Sequence, residues 1–155
     1  MGAGAKMIYI AHRGLLNGPS IEWENRPQAI EEAIAVCGNA EIDLWMVDGK
    51  YKSGHDKPQY DISWKWLCDN SRKLWIHCKN IRVLESMNLI YFRGFNYFWH
   101  EEDTVTLTSK GYIWAYPGKQ PIENSIAVLP ERFNDDISKC VGICTDYVLK
   151  YRGDL

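Results

Sequence analysis

Two residue pairs carry the first chemical information in this 155-residue chain. Glu41 and Asp43 stand one residue apart in "AEIDLWMV" (40–47), a run with strand character. Both carboxylates therefore project from one face, while Ile42 and Leu44 project from the other towards a helix layer. Two carboxylates aimed at an interior are costly unless a cation or hydrogen-bond donors compensate them. A hard divalent cation suits such oxygens, Mg2+ or Ca2+ first and Mn2+ as a third candidate. His77 and Lys79 repeat the spacing at the end of "KLWIHCK" (73–79). There an imidazole adds a nitrogen ligand and an ammonium neutralises a phosphate oxygen, with a solvated strand end as the plain alternative.

The chain has four histidines, and three of them end apolar runs: His12 in "IYIAH", His77 in "LWIH" and His100 in "NYFWH". His55 follows a hairpin-like segment after the second strand. In parallel α/β sheets the carboxyl ends of strands are where sites gather, so all four histidines are expected at one end. His12 is followed by Arg13 and a breaking Gly14. A strand that buries Ile8 and Ile10 has no packing reason to finish in two cationic side chains, unless they cap it in solvent or face an anion. For His100 the competing reading is a surface histidine paired with Glu101 or Glu102.

The elements that must hold these residues alternate. A strand at 7–11 precedes "ENRPQAIEEAIAVCGN", a helix with Asn25 as cap, Pro27 in the first turn and Gly38 as stop. Ile30, Ala33, Ile34 and Cys37 give that helix one buried face. The strand 40–47 turns at Asp48-Gly49 into a short return, "KYKSGHD". Then "SWKWLCDN" reads as helix, "KLWIHCK" as strand and "IRVLESM" as helix. "NYFWH", "GYIWAYPG", "SIAVLPE" and "CVGICTDY" read as further strands, with "VTLTSKGYIWAY" as a local hairpin about Lys110-Gly111. Strands alternating with helices indicate βα units. About seven or eight strands with few long helices predict an α/β fold, a compact (β/α) barrel of TIM type with shortened or missing outer helices. The chain reads as a flexible leader (1–6) and one domain (7–155).

Composition narrows the partners. A net charge of −2 argues against a general nucleic-acid binder. No apolar run approaches the roughly 20 residues of a membrane span. Five cysteines without a CxxC pair point to a reducing compartment, hence cytoplasm. Seven tryptophans and nine tyrosines are read mostly as bulky core.

Taken in order, "AHRG" (11–14), "EN" (24–25), "EIDLW" (41–45) with its "DG" turn (48–49), and "GHD" (54–56) resemble the glycerophosphodiester phosphodiesterase family, within the wider phospholipase-C-like phosphodiesterases. The resemblance runs from Ile8 to Asp56, continues to Lys79 and returns at "GICTDY" (142–147), which is similar to that family's last barrel strand. It implies acid–base roles for His12 and His55, a divalent metal on Glu41 and Asp43, and phosphate-binding roles for Arg13 and Lys79. The substrate implied is a small-molecule phosphodiester. His77 stands where the family has a third carboxylate ligand, and the chain is far shorter than typical members. Rival readings are a non-catalytic ligand-binding protein on the same fold and a lyase that forms a cyclic phosphate. His100 is added as a substrate-side residue from its own position. The diester's alcohol groups and the oligomeric state are left open by the sequence.

Overall fold

The computed structural model describes residues 6–90 and 93–155, so most of the expected leader lies outside the described residues. Among the described residues ten strands and four α-helices follow one another: β1 (Ile8–Ala11), α1 (Pro27–Cys37), β2 (Ala40–Val47), β3 (Lys50–Ser53), β4 (Tyr60–Ile62), α2 (Trp64–Asp69), β5 (Leu74–Cys78), α3 (Ile81–Leu89), β6 (Asn96–Trp99), β7 (Val105–Leu107), β8 (Ile113–Ala115), β9 (Ser125–Val128), β10 (Gly142–Thr145) and α4 (Val148–Arg152). All ten strands belong to one curled sheet.

The order β6-β5-β2-β1-β10-β9-β8 is parallel throughout. β7 adds antiparallel to β8, and the β3–β4 hairpin adds antiparallel to the far half of β2. β2 is long enough to do both: residues 40–44 lie against β5, and 44–47 lie against β3. The Asp48-Gly49 turn has positive φ at both residues (51° and 76°), as a two-residue hairpin requires. β6 is joined to the β7 segment by scattered bonds instead of a ladder. Ser109 N donates to Tyr97 O at 2.8 Å, and the Thr106 hydroxyl donates to Trp99 O at 3.0 Å.

The expected TIM-type barrel is corrected by this architecture. The molecule is a mixed α/β half-barrel whose four short helices are unevenly placed, and none lies between β6 and β10. The reason is visible in the chain: the segment 116–124, "YPGKQPIEN", has no 3.6-residue apolar period and is broken by two prolines and a glycine. The link from β9 to β10 carries only a single 3₁₀ turn, Pro130–Arg132.

Strand alternation divides the core into two sides. Outward residues Ile42, Leu44, Ile76 and Cys78 pack with Ile30, Ala33, Val83 and Met87 of α1 and α3. Inward residues Ile10, Trp75, Phe98, Trp114, Ile126, Val128 and Cys144 fill the concave side. Phe98 and Trp114 meet there at a 4.6 Å ring separation. Each such buried side chain contributes about 1.5–3 kcal/mol relative to exposure. Gly38 ends α1 at φ 90°, with its N–H on Ile34 O, as the sequence leads one to expect. Asn25 does not cap α1. Arg26 occupies the cap position without a side-chain bond, because Asn25 is spent elsewhere.

Candidate metal and phosphate site

The inward row of aromatic and aliphatic side chains turns polar at the carboxyl ends of the parallel strands. Glu41 and Asp43 on β2, His77 on β5 and His12 just after β1 are all buried. Register places them: Asp43 is directly opposite His77, and Glu41 opposite Trp75. A cavity of about 350 Å³ opens there, lined by all four histidines, Arg13, Glu41 and Asp43, together with Tyr116, Leu129 and Arg132.

Glu41, Asp43 and His77 each offer a ligand atom, and these atoms lie within 4.8 Å of one another. His77 Nδ1 is 2.9 Å from Asp43 Oδ1, while its Nε2 is 3.2 Å from the carbonyl oxygen of His100. A neutral ring that donates Nε2–H to that carbonyl turns a bare Nδ1 towards a carboxylate oxygen. Two lone pairs then face each other, an arrangement that a proton or a shared cation resolves. Two carboxylates and one imidazole make a donor set that fits a divalent ion with positions left for other ligands. The three residues could hold a metal ion.

A strained loop supplies further partners to Glu41 and Asp43. Asn25, fully buried at φ 63°, donates Nδ2–H to Asp43 Oδ2 and accepts from Asp43 N, both at 2.9 Å. Its own carbonyl accepts from the Ser53 hydroxyl at 2.6 Å. Arg13, at φ 54°, donates its backbone N–H to Glu41 Oε1 at 3.0 Å. The Arg13 guanidinium bonds Glu24 Oε2 at 2.6 Å and has Nε 3.4 Å from Asp43 Oδ2. Non-glycine residues in this region cost about 1–3 kcal/mol each, and here both serve the carboxylates.

Electrostatics separate the two acids. Burial pushes Glu41 well above the usual carboxylate range, and the neighbouring Asp43 charge reinforces it. Burial acts on Asp43 in the same direction, but the His55 and His77 rings and the Arg13 charge outweigh it and hold Asp43 well below.

The histidines differ in their partners. His12 Nδ1 donates to Asp146 Oδ1 at 2.7 Å, leaving Nε2 on the cavity side, 3.9 Å from Glu41 Oε1. His55 follows Gly54, whose φ of 152° and 2.0 Å clearance between an added Cβ and Lys57 O admit only glycine. Its Nε2 is 3.2 Å from Arg13 Nη2, which can only donate, so His55 accepts there and keeps its proton on Nδ1. His100 lines the cavity, stacked on Tyr116 at 3.9 Å, and its acidic partner is Asp103 at 3.0 Å, not Glu101 or Glu102.

Lys79 is the one candidate that lies outside this cavity. It lines a neighbouring hollow of about 410 Å³ with Trp45 and Trp99, its ammonium 6.0 Å from the Trp45 ring. Sequence reasoning assigned no site role to Tyr116, Arg132 and Asp146; it read Asn25 as a helix cap, and Glu24 with Asn25 only as part of the family resemblance. Asp146 was findable: it follows β10 in the same inward row as Cys144. Comparison with known protein families, with curated proteins and with solved structures finds no match to this chain. Its function is therefore read from the site itself.

Proposed function

We propose that the chain is a divalent-metal-dependent phosphodiesterase acting on glycerophosphodiester-like substrates through two histidines. The observation that carries this reading is convergence: Glu41, Asp43 and His77 share one cavity with His12, His55 and Arg13. Mg2+ or Ca2+ suits the two hard carboxylates, and His77 in place of a third carboxylate widens the choice to Mn2+. Bound there, such an ion would supply positive charge to the phosphodiester as negative charge develops at phosphorus.

The chain's own residues do the rest. Asp146 holds His12 through Nδ1, so His12 exchanges its proton through Nε2, as an oriented imidazole does in hydrolytic triads. His55 would work through Nε2 once the substrate displaces the Arg13 contact there. One ring takes the proton of the nucleophile, a neighbouring substrate hydroxyl or water, and the other protonates the leaving alkoxide. Leu129, Val128 and Trp114 give the cavity an apolar wall that limits water. The five free thiols support a reducing, cytoplasmic setting.

The test is turnover of glycerophosphodiesters and bis(4-nitrophenyl) phosphate with Mg2+, Ca2+ or Mn2+ and with chelator. Metal-dependent release of a phosphomonoester, followed by phosphorus NMR, is expected. A cyclic phosphate product would make the enzyme a lyase. Absence of metal-dependent turnover across that panel would leave a binding protein.

A further inference from the structure

The cavity is lined by two arginines in opposite situations. Arg13 is committed: its guanidinium is tied to Glu24 at 2.6 Å, lies 3.4 Å from Asp43 and meets His55 at 3.2 Å. Its charge is answered by carboxylates already in place. Arg132 lines the same cavity from a turn late in the chain, after β9, and has no ion pair or side-chain hydrogen bond among the described residues. Lys79, the other cation expected at phosphate, opens on the neighbouring hollow.

Arg132 is also held in place. Leu129, buried and left-handed at φ 48°, donates its N–H to Cys144 O at 2.7 Å and starts the 3₁₀ turn Pro130–Arg132. The next residue, Glu131, turns its carboxylate away from the cavity to accept from Thr145 Oγ1 at 3.0 Å and Tyr151 OH at 3.5 Å. Arg132 N closes the turn on Leu129 O at 3.1 Å. A non-glycine residue in the left-handed region persists only when its surroundings over-determine it. Here the strained turn has the geometric effect of setting a free guanidinium on the cavity that holds Glu41 and Asp43.

We infer that Arg132 is a substrate-binding residue, the cation that takes the non-bridging oxygens of the phosphodiester. The inference rests on the phosphodiesterase reading and adds the residue that would select for phosphate. A planar guanidinium offers two parallel N–H groups matched to phosphate oxygens, and none of Arg132's side-chain donors has a partner among the described residues. Arg13, by contrast, positions Glu41, Asp43 and the loop around them.

The experiment is calorimetric titration of inorganic phosphate into the full chain with Mg2+ present. Wild type is compared with Arg132→Gln, Arg132→Lys and a distant charge control, Arg72→Gln. Because Arg132 is exposed, unchanged melting curves will show that the variants fold. Arg132→Gln is expected to weaken phosphate binding about 10–100-fold, Arg132→Lys to recover part of it, and Arg72→Gln to change nothing. Absence of phosphate binding by wild type, equal affinity in Arg132→Gln, or an equal loss in Arg72→Gln would each overturn the inference. Diester turnover is scored separately. Phosphate binding through Arg132 without turnover would sink the phosphodiesterase reading and keep the anion site. Turnover with an unchanged KM in Arg132→Gln would sink Arg132 alone.

Discussion

Asp43 and His77 face each other across β2 and β5 at the same register level, with Oδ1 and Nδ1 2.9 Å apart. The pairing makes one ligand set out of residues 34 positions apart in the chain. It predicts that metal binding needs both strands. Calorimetry with Mg2+, Ca2+ and Mn2+ should show one site in wild type and none in the Glu41→Gln/Asp43→Asn double variant. His77→Ala should bind more weakly. Equal heats for wild type and the double variant would place the metal elsewhere.

The two outer histidines should be separable from folding. His12→Ala and His55→Ala are each expected to lower kcat by about 10²–10⁴-fold with unchanged circular dichroism. Asp146→Asn should cost less and should shift the pH–rate profile, since it alters the partner that orients His12. Rates within a few-fold of wild type for either alanine variant would remove the acid–base assignment.

Glu41 should be a stability liability in the metal-free chain. Burial and Asp43 raise its folded pKa, so the folded state holds the proton more tightly than the unfolded state. Stability therefore falls as pH rises from the ordinary glutamate value of about 4.3 towards the raised folded value. Glu41→Gln keeps an oxygen for Arg13 N and removes the charge. Under chelator its melting temperature should match wild type in acid and exceed it increasingly towards neutrality, by about 2–4 °C per kcal/mol. Added Mg2+ should stabilise wild type and not the variant. A difference that does not vary with pH would refute this account of Glu41.

Asn25 joins fold and site. Asn25→Ala leaves the buried Asp43 N–H and Oδ2 without their partner, and puts alanine at φ 63°. Each unsatisfied buried group costs about 1–3 kcal/mol, so the variant should lose stability clearly and metal affinity with it. Asn25→Asp keeps the acceptor and adds a like charge beside Asp43. It should therefore retain part of the stability but bind metal with altered pH dependence. Melting curves and metal titration of the two variants check both effects.

The face on which each polar group lies was legible in the chain, because strand geometry is local. The i, i+2 spacing put Glu41 with Asp43, set Ile42 and Leu44 against the helices, and brought His12, His77 and His100 to strand ends. The Asp48-Gly49 turn and the Gly38 stop were legible for the same reason, since positive φ is a property of single residues. Partners and closure were not. Which strands neighbour one another, and at what register, is decided by how the whole sheet curls, and a one-residue slip would turn Asp43 from His77 to the outer side. The missing helices between β6 and β10 replaced a TIM barrel with a half-barrel, and that curl set Tyr116, Leu129 and Arg132 on the same cavity as the acids. It also sent Lys79 into the adjoining hollow. Asn25 looked like a helix cap by its neighbours and became the partner of Asp43 by its surroundings. A buried carboxylate must find donors wherever the fold brings them, and no local pattern records which residue will answer.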